Sequence, residues 1–174
     1  MKNFLSMFFL IFILVPYLSS QDYYMDDFKD FTFEMPNGWE TMTYPGLKYK
    51  IIYGDSAKEL NQNMIFVSEE VSGSMDQIID DYVHRIEGSE DSAFGSKVTA
   101  IEKFKNNYNL ESQKLTIEFP EEKSGLKQYF YLFKQNNMLY ICAASIVDDS
   151  EGEIEEILDA SMRTFQILDK KEEE

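Results

Sequence analysis

Two neighbouring segments of this chain are apolar on both faces of an extended strand. The first is Leu126 to Gln135, with the run Tyr129-Phe130-Tyr131-Leu132-Phe133, and the second is Met138 to Val147. Asn136-Asn137 joins them, and Asn tolerates the positive φ of a tight hairpin. Strands that are buried on both faces need cover on both sides. The sequence therefore predicts a central hairpin with further elements packed on both of its faces.

The clearest helix signal lies between Ser74 and Gly88. Ser74 and Gln77 have the capping-box spacing, in which each side chain bonds the backbone N–H of the other residue. Apolar residues then recur at helical spacing along one face: Met75, Ile78, Ile79, Tyr82, Val83 and Ile86. The pattern predicts a helix over residues 75–87, which Gly88 would end in a positive-φ conformation.

A second helix is predicted over residues 151–165, where it would cover part of the sheet. Ser150 and Glu153 repeat the capping-box spacing. The apolar stripe of this helix consists of Ile154, Ile157, Leu158, Met162 and Phe165.

Shorter strands are predicted around these elements. They are expected over residues 31–35, from Trp39 onward, and over residues 47–53, 64–67, 98–105 and 108–119. Asn106-Asn107 is expected to form a tight turn between the last two. In the last strand, apolar residues alternate with Lys114, Thr116 and Glu118. This alternation predicts that the Lys114 face of the strand meets solvent.

The first twenty residues have the pattern of a secretory signal peptide. Lys2 is the only charge before Asp22, residues 4–15 are apolar except for Ser6, and small residues end the run at Ser20. The alternative is an uncleaved anchor, although the apolar run is shorter than the roughly 20 residues of a spanning helix. A lipid anchor of the standard kind is excluded because no Cys follows the cut. We expect a signal peptide over residues 1–20, an N-terminal arm over 21–30, one domain over 31–168 and an acidic tail over 169–174.

Acidic residues outnumber basic ones by 32 to 16, which gives a formal net charge of −16. Nucleic acid and anionic lipid reward clusters of Lys and Arg, so neither is expected as the main partner. The chain is 44% hydrophobic, enough for a core of its own. Its single cysteine allows no intramolecular disulfide.

The order of these elements resembles the PsbP-like superfamily, and most closely its bacterial DcrB-like exported proteins. Met35-Pro36-Asn37-Gly38-Trp39 is close to the superfamily's P-x-G-W motif, and Met162-Arg163-Thr164-Phe165 ends the last helix where Ser-Phe is usual. The resemblance covers about residues 28–168. It departs at Asn106-Asn107, where many members have a Gly-containing turn, and in lacking the lipobox of many bacterial members.

The resemblance implies an α+β fold: an α/β/α sandwich with a mainly antiparallel sheet and flanking helices at about 75–87 and 151–165. Members include a photosystem II extrinsic subunit, a Ran-binding nuclear protein and envelope proteins, and they have binding rather than catalysis in common. The superfamily supplies no catalytic residues to carry over, and a fold alone does not give a function.

The residues that could carry chemistry each have a simpler explanation. His84 falls on the polar face of the first helix, where a solvated role is expected. Cys142 lies in a strand that is apolar on both faces, where a free thiol acts as a small hydrophobe. Trp39, with Tyr44, Tyr49 or Tyr53, could stack on a ligand, but beside a Pro-Asn-Gly turn it is expected to close one end of the core. The sequence therefore predicts no catalytic, cofactor-binding or metal-binding residue and no cofactor.

The acidic run from Asp148 to Glu153 is the one candidate for a cation. It fails the calcium-loop pattern, because positions six and twelve counted from Asp148 are Glu153 and Asp159 rather than Gly and Glu. The simpler interpretation is a helix start whose acidic residues complement the helix dipole. Whether the cluster binds a cation stays open at this point.

These observations predict a non-enzymatic envelope protein, exported to the periplasm or beyond, that binds a protein partner or acts as an accessory subunit. An exposed aromatic patch is expected to mark the partner site, because aromatic residues make up 15% of the chain. The alternative is a carrier or sensor of a small apolar ligand held between sheet and helix. The sequence leaves the partner's identity and the oligomeric state open.

Overall fold

The computed structural model describes residues 23–25, 30–43, 50–54, 62–88, 95–119, 126–147 and 152–168. Within these ranges the chain forms ten strands and two helices. In chain order they are β1 (Tyr23–Met25), β2 (Phe31–Glu34), β3 (Glu40–Thr43), β4 (Lys50–Tyr53), β5 (Asn63–Glu70), α1 (Met75–Gly88), β6 (Lys97–Lys103), β7 (Glu111–Glu118), β8 (Leu126–Gln135), β9 (Met138–Val147), α2 (Glu153–Arg163) and β10 (Gln166–Ile167).

The predicted central hairpin lies inside a seven-stranded antiparallel sheet with the order β3-β4-β5-β9-β8-β7-β6. Its two strands have the predicted bounds, and Asn136 takes the positive φ, 55°, that the turn requires. A second sheet of three strands has the order β1-β2-β10. The predicted fold class, an α+β sandwich built on a mainly antiparallel sheet, is confirmed.

One face of the large sheet is covered by α2 and the small sheet together. Phe133 of β8 stacks on Phe165, just beyond α2, with ring centroids 4.2 Å apart, and Phe33 of β2 stacks on Phe66 of β5 at 4.8 Å. Leu158 and Met162 of α2 are fully buried against this layer. Aromatic rings of this size each bury a large apolar area, so their stacking holds this layer against the sheet.

The other face of the large sheet is covered by α1. Met75, Ile78 and Ile79 of the helix pack on Leu132 of β8 and Ile141 of β9. The predicted capping box is present: the Ser74 N–H donates to Gln77 Oε1 at 2.9 Å, and the Gln77 N–H donates to Ser74 Oγ at 3.3 Å. Gly88 is the last helical residue and is not the positive-φ stop that the sequence predicts.

The bounds of α2 differ from the prediction. The helix begins at Glu153 after Gly152, whose φ is 74° and which makes no side-chain cap. Glu153 is therefore the first helical residue, and it does not occupy the third position that a capping box with Ser150 requires. The helix ends at Arg163 because the N–H groups of Thr164 and Phe165 turn back to Ser161 and Met162.

The connection from β6 to β7 is longer than the predicted Asn106-Asn107 turn. It runs from residue 104 to residue 110, and Asn109 takes the positive φ, 58°. Asn106 is buried, and its amide donates to the Phe165 carbonyl at 2.8 Å and to the Met162 carbonyl at 3.4 Å. Asn106 therefore begins the turn, since its carbonyl accepts from the Asn109 N–H at 3.3 Å, and its side chain also binds the end of α2.

Several predictions fall outside the described residues. They concern the signal peptide, Tyr44 and Tyr49, residues 148–151 of the acidic run, and the tail from residue 169, and they stay predictions. No helix in the described ranges is long and apolar enough to cross a membrane.

Cys142 supplies a test of the central strand. Its thiol is fully buried, its Sγ lies 3.8 Å from Met64 Sδ, and burial raises its pKa well above the usual value. We expect a water-soluble maleimide to label the native protein far more slowly than the urea-unfolded protein, because the reactive species is the thiolate. Equal rates in the two states, followed by intact mass, would show that β9 is exposed.

Candidate functional site

Lys114 lies on a buried face of β7, whereas the sequence predicts a solvent-facing one. Only 2% of the residue is exposed, because α2 crosses over this face of the strand. The Lys114 Nζ donates to Glu155 Oε1 at 2.6 Å and to Asp159 Oδ1 at 2.7 Å, both from α2. Apolar and polar residues do alternate along β7, but the polar face packs against α2 instead of facing water.

Two tyrosines of β8 complete this group of polar side chains, which we call the clasp (Lys114, Tyr129, Tyr131, Glu155 and Asp159). Tyr129 donates to Glu155 Oε2 and Tyr131 donates to Asp159 Oδ1, each at 2.8 Å. The Lys114 ammonium lies 4.6 Å from the centre of the Tyr129 ring, in a cation–π arrangement. Lys114 therefore meets both carboxylates and an aromatic face at once.

The clasp is built to hold α2 rather than to react. Burial, followed by the charge of Asp159, raises the pKa of Tyr131 far above its usual value, so this hydroxyl is no base near neutral pH. Burial acts to raise the pKa of Glu155, but hydrogen bonds from Lys114 and Tyr129 outweigh it and the pKa is lowered. Lys114 uses its ammonium group in two ion pairs. Each of these groups is committed to a partner within the clasp.

His84 and Trp39 occupy the environments that the sequence predicts for them. His84 is exposed on α1. Trp39 is buried at one end of the core, and a Cβ added to Gly54 would lie 2.7 Å from its Nε1, which explains the glycine there. The described part of the chain holds no group of three or more His, Cys, Asp or Glu side chains that could bind a metal ion.

The α1 face of the large sheet carries a row of apolar side chains, most of which lie outside the apolar cluster beneath α1. Cross-strand register aligns them over five strands, in the order Met42, Ile51, Ile65, Ala143 and Phe130. Phe130 also touches the core beneath α1, and directly opposed residues share a face, so the whole row lies on the α1 side. All five are only half-buried.

Two further exposed apolar side chains lie on this face, one next to the row and one beyond the polar Ser145. Val67 pairs with Ile141, whose side chain lies under α1, and is 43% exposed; Val147 lies farther along β9 and is also exposed. We call Met42, Ile51, Ile65, Val67, Phe130, Ala143 and Val147 the open face. It is mainly aliphatic, so it differs from the exposed aromatic patch that the composition predicts.

The open face exists because one helix is too narrow for this sheet. Seven strands about 4.8 Å apart span about 29 Å between the outer two. A helix with its side chains is about 10–12 Å wide. Among the described elements, α1 alone packs on this face, and it contacts the β6 side most closely. No helix of the described part of the chain packs on the β3-β4-β5 side.

A groove lies on the opposite side of the molecule, between α2 and the turn after β2. It encloses about 250 Å³ and is lined by Glu34, Met35, Pro36, Asn37, Ile157, Ala160 and Ser161. Its volume is below the range of about 300–1,000 Å³ that is usual for small-molecule sites. The Pro36-Asn37 turn that forms one wall belongs to the P-x-G-W segment.

A PsbP family model matches residues 19–167, most of the chain. The chain belongs to the PsbP family. The narrower likeness to DcrB-like proteins stays a prediction. No curated protein matches the chain by sequence.

Solved structures share the fold of this PsbP-family protein at low sequence identity. The solution structure of cyanobacterial PsbP from Synechocystis sp. PCC 6803 matches with a TM-score of 0.64 and 12% identity, over 87% of this chain and 94% of that one. The Ran-binding protein Mog1p of Saccharomyces cerevisiae matches with a TM-score of 0.62 and 9% identity, over 86% of this chain and 96% of that one. At these identities the likeness shows the fold alone.

The lowered pKa of Glu155 predicts a pH-dependent part of the stability. A carboxylate whose pKa is lower in the folded state stabilises fully above its ordinary value of 4.5, and this contribution is lost as the pH falls through the folded value. We expect Glu155→Gln to lower the Tm at pH 7 and to lose less Tm than the natural protein on acidification.

Thermal unfolding between pH 7 and pH 3, followed by circular dichroism, measures this difference. Glu156→Gln is the matched control, because Glu156 is the next residue of α2 and is exposed. The control should follow the natural protein throughout. Parallel pH profiles for Glu155→Gln and Glu156→Gln would contradict the role given to the clasp.

Proposed function

We propose that this PsbP-family protein is an exported, non-enzymatic module that binds a protein partner through the open face. The observation that carries the proposal is the row of half-buried apolar side chains aligned over β3, β4, β5, β9 and β8. A soluble domain rarely leaves such a surface in water without a use, and contiguous apolar patches are typical of protein-binding sites.

The two faces of the sheet support this proposal by contrast. The α2 face is covered by a helix and a second sheet, and even its polar residue Lys114 is paired there. The α1 face is formed by the same strands, and its apolar residues are aligned from strand to strand. The helix α1 covers only part of this face. The exposed apolar surface is therefore confined to one half of the α1 face, as expected of a binding surface.

A non-catalytic role is supported by the use of the polar groups. The clasp commits one ammonium, two carboxylates and two phenols to each other. Export is supported by the signal-peptide pattern of residues 1–20. The name of Mog1p as a Ran-binding protein shows that one protein of this fold binds another, although it indicates nothing about which partner this chain binds.

The groove beside α2 supports a second candidate, the carrier of a small apolar ligand. Met35, Ile157 and Ala160 give it an apolar part, but Glu34 and Asn37 line it too. Its small volume makes it a weaker candidate than the open face.

Photocrosslinking in living cells tests the proposal directly. A photoreactive amino acid at position 67 samples the open face, and the same residue at position 157 is the matched control: Val67 is 43% exposed and Ile157, beside the groove, is 42% exposed. We expect one protein adduct of defined mass from position 67, in the exported fraction, and none of that mass from position 157.

Four outcomes would contradict the proposal. A protein adduct only from position 157 would place the partner at the groove, and an adduct of small-molecule mass there would favour the carrier. The absence of any adduct from position 67 would leave the open face without a function. Recovery of the protein solely from the cytoplasm would contradict export.

A further inference from the structure

We infer that the occupant of the open face is an amphipathic helix of a protein partner, with basic residues along its flanks, which lies beside α1 as a second helix of that layer. The inference rests on the proposed function and specifies the chemistry of the partner. It follows from the shape of the surface that the described elements leave uncovered, from the hydrogen bonding of the strands beneath it, and from charge.

The width of the open face fits one helix. Phe130 of β8 borders the core beneath α1, and the rest of the open face runs from β3 to β9 across three spacings of about 4.8 Å, or about 14 Å. A helix with side chains is about 10–12 Å wide. On the β5 side of α1, Tyr82 donates to Glu69 Oε1 of β5 at 2.7 Å and marks the limit of the surface that α1 covers. A second helix would lie against this flank and complete the layer.

The hydrogen bonding of the strands favours a helix over an added strand. β4, β5 and β9 each pair with neighbours on both sides, so their backbone groups are engaged within the sheet. A partner strand adds at the edge of a sheet, where backbone groups are unpaired, and not on its face. The open face offers side chains only, and a helix satisfies its own backbone while it presents apolar side chains at i, i+3, i+4 and i+7.

The charge of the protein favours basic flanks on that helix. The chain carries a formal charge of −16, and two carboxylates lie on the α1 face at the borders of the open face, Glu40 on β3 and Glu69 on β5. The basic residue near Tyr82 is Arg85, but its guanidinium group already stacks on the Tyr82 ring, 4.3 Å from the ring centre. Lys and Arg side chains can lay their methylene stems on apolar surface while their charges reach such carboxylates.

The probe for this inference is a designed 18-residue peptide of Leu and Lys with the leucines on one helical face. A second peptide has the same composition and charge, with the leucines scattered around the helix. Titration into the protein purified from its exported fraction, followed by fluorescence anisotropy, gives the Kd of each. We expect the amphipathic peptide to bind about tenfold tighter or more, because only it can bury a continuous apolar face.

Val67→Glu separates apolar docking from simple charge attraction. The substitution adds a negative charge, so attraction alone would strengthen binding of the Lys-rich peptide. Docking on the open face predicts the opposite, a Kd about tenfold weaker or more, because a carboxylate would be buried against leucines. Ile157→Glu is the control, with the same added charge at nearly the same exposure, 42% against 43%, and it should leave the Kd unchanged. Circular dichroism confirms that both variants fold.

Every outcome bears on the inference. Equal binding of the two peptides, or tighter binding by Val67→Glu, would overturn the helical occupant. Self-association that Val67→Glu abolishes, seen by sedimentation, would assign the face to a second copy and overturn it as well. If the adduct from position 67 forms in cells while the amphipathic peptide shows no preference, the partner site stands and the helix is wrong. If neither is seen, both proposals fail.

Discussion

The ion pairs of Lys114 with Glu155 and Asp159 are the interaction on which the arrangement of this molecule depends. They join β7 to α2 across 41 and 45 residues of sequence, at 2.6 and 2.7 Å. A lysine this deeply buried loses most of its hydration, and two carboxylates and an aromatic face replace that hydration. Because both carboxylates belong to one helix, the position of α2 on the sheet is fixed.

Three further hydrogen bonds hold the end of α2 in place. The Asn106 amide donates to the Phe165 carbonyl, and the Thr164 hydroxyl accepts from the N–H of Glu34 in β2 at 2.8 Å. Ser161 donates to the Glu34 carbonyl. Together with the clasp, these bonds hold α2 and the small sheet as one cover over the aromatic core. The α1 face has a single helix and no second element among the described residues, so the surface available for binding lies there.

The sequence predicts the structure correctly where the pattern lies within a single segment. The bounds of β8 and β9, the buried Cys142 and the capping box of α1 all follow from local patterns. The prediction that the Lys114 face of β7 meets solvent is wrong. Alternation shows which residues share a face of a strand, but not which element covers that face. The turn predicted at Asn106 is present, since its carbonyl accepts from the Asn109 N–H. Its bonds to the end of α2 could not be predicted, because those acceptors lie 56 or more residues away.

The open face could not be predicted from the sequence. Its row combines residues from five strands, and Met42 and Ala143 join one row only through the registers of the strands between them. Each is an ordinary apolar strand residue by itself. The signal-peptide pattern needs no tertiary structure to be recognised, whereas a surface assembled from distant strands becomes visible only in the fold.

The α2 face stabilises the fold, and the open face does not. Urea unfolding of Lys114→Met beside Val67→Glu tests this difference most directly. Lys114→Met leaves two carboxylates without their cation and should cost about 3 kcal/mol, near the low end for a buried pair because both carboxylates reach solvent. Val67→Glu should cost about 1 kcal/mol or less, the scale of strand propensity at an exposed site. A cost for Val67→Glu equal to that for Lys114→Met would show that the open face is part of the core.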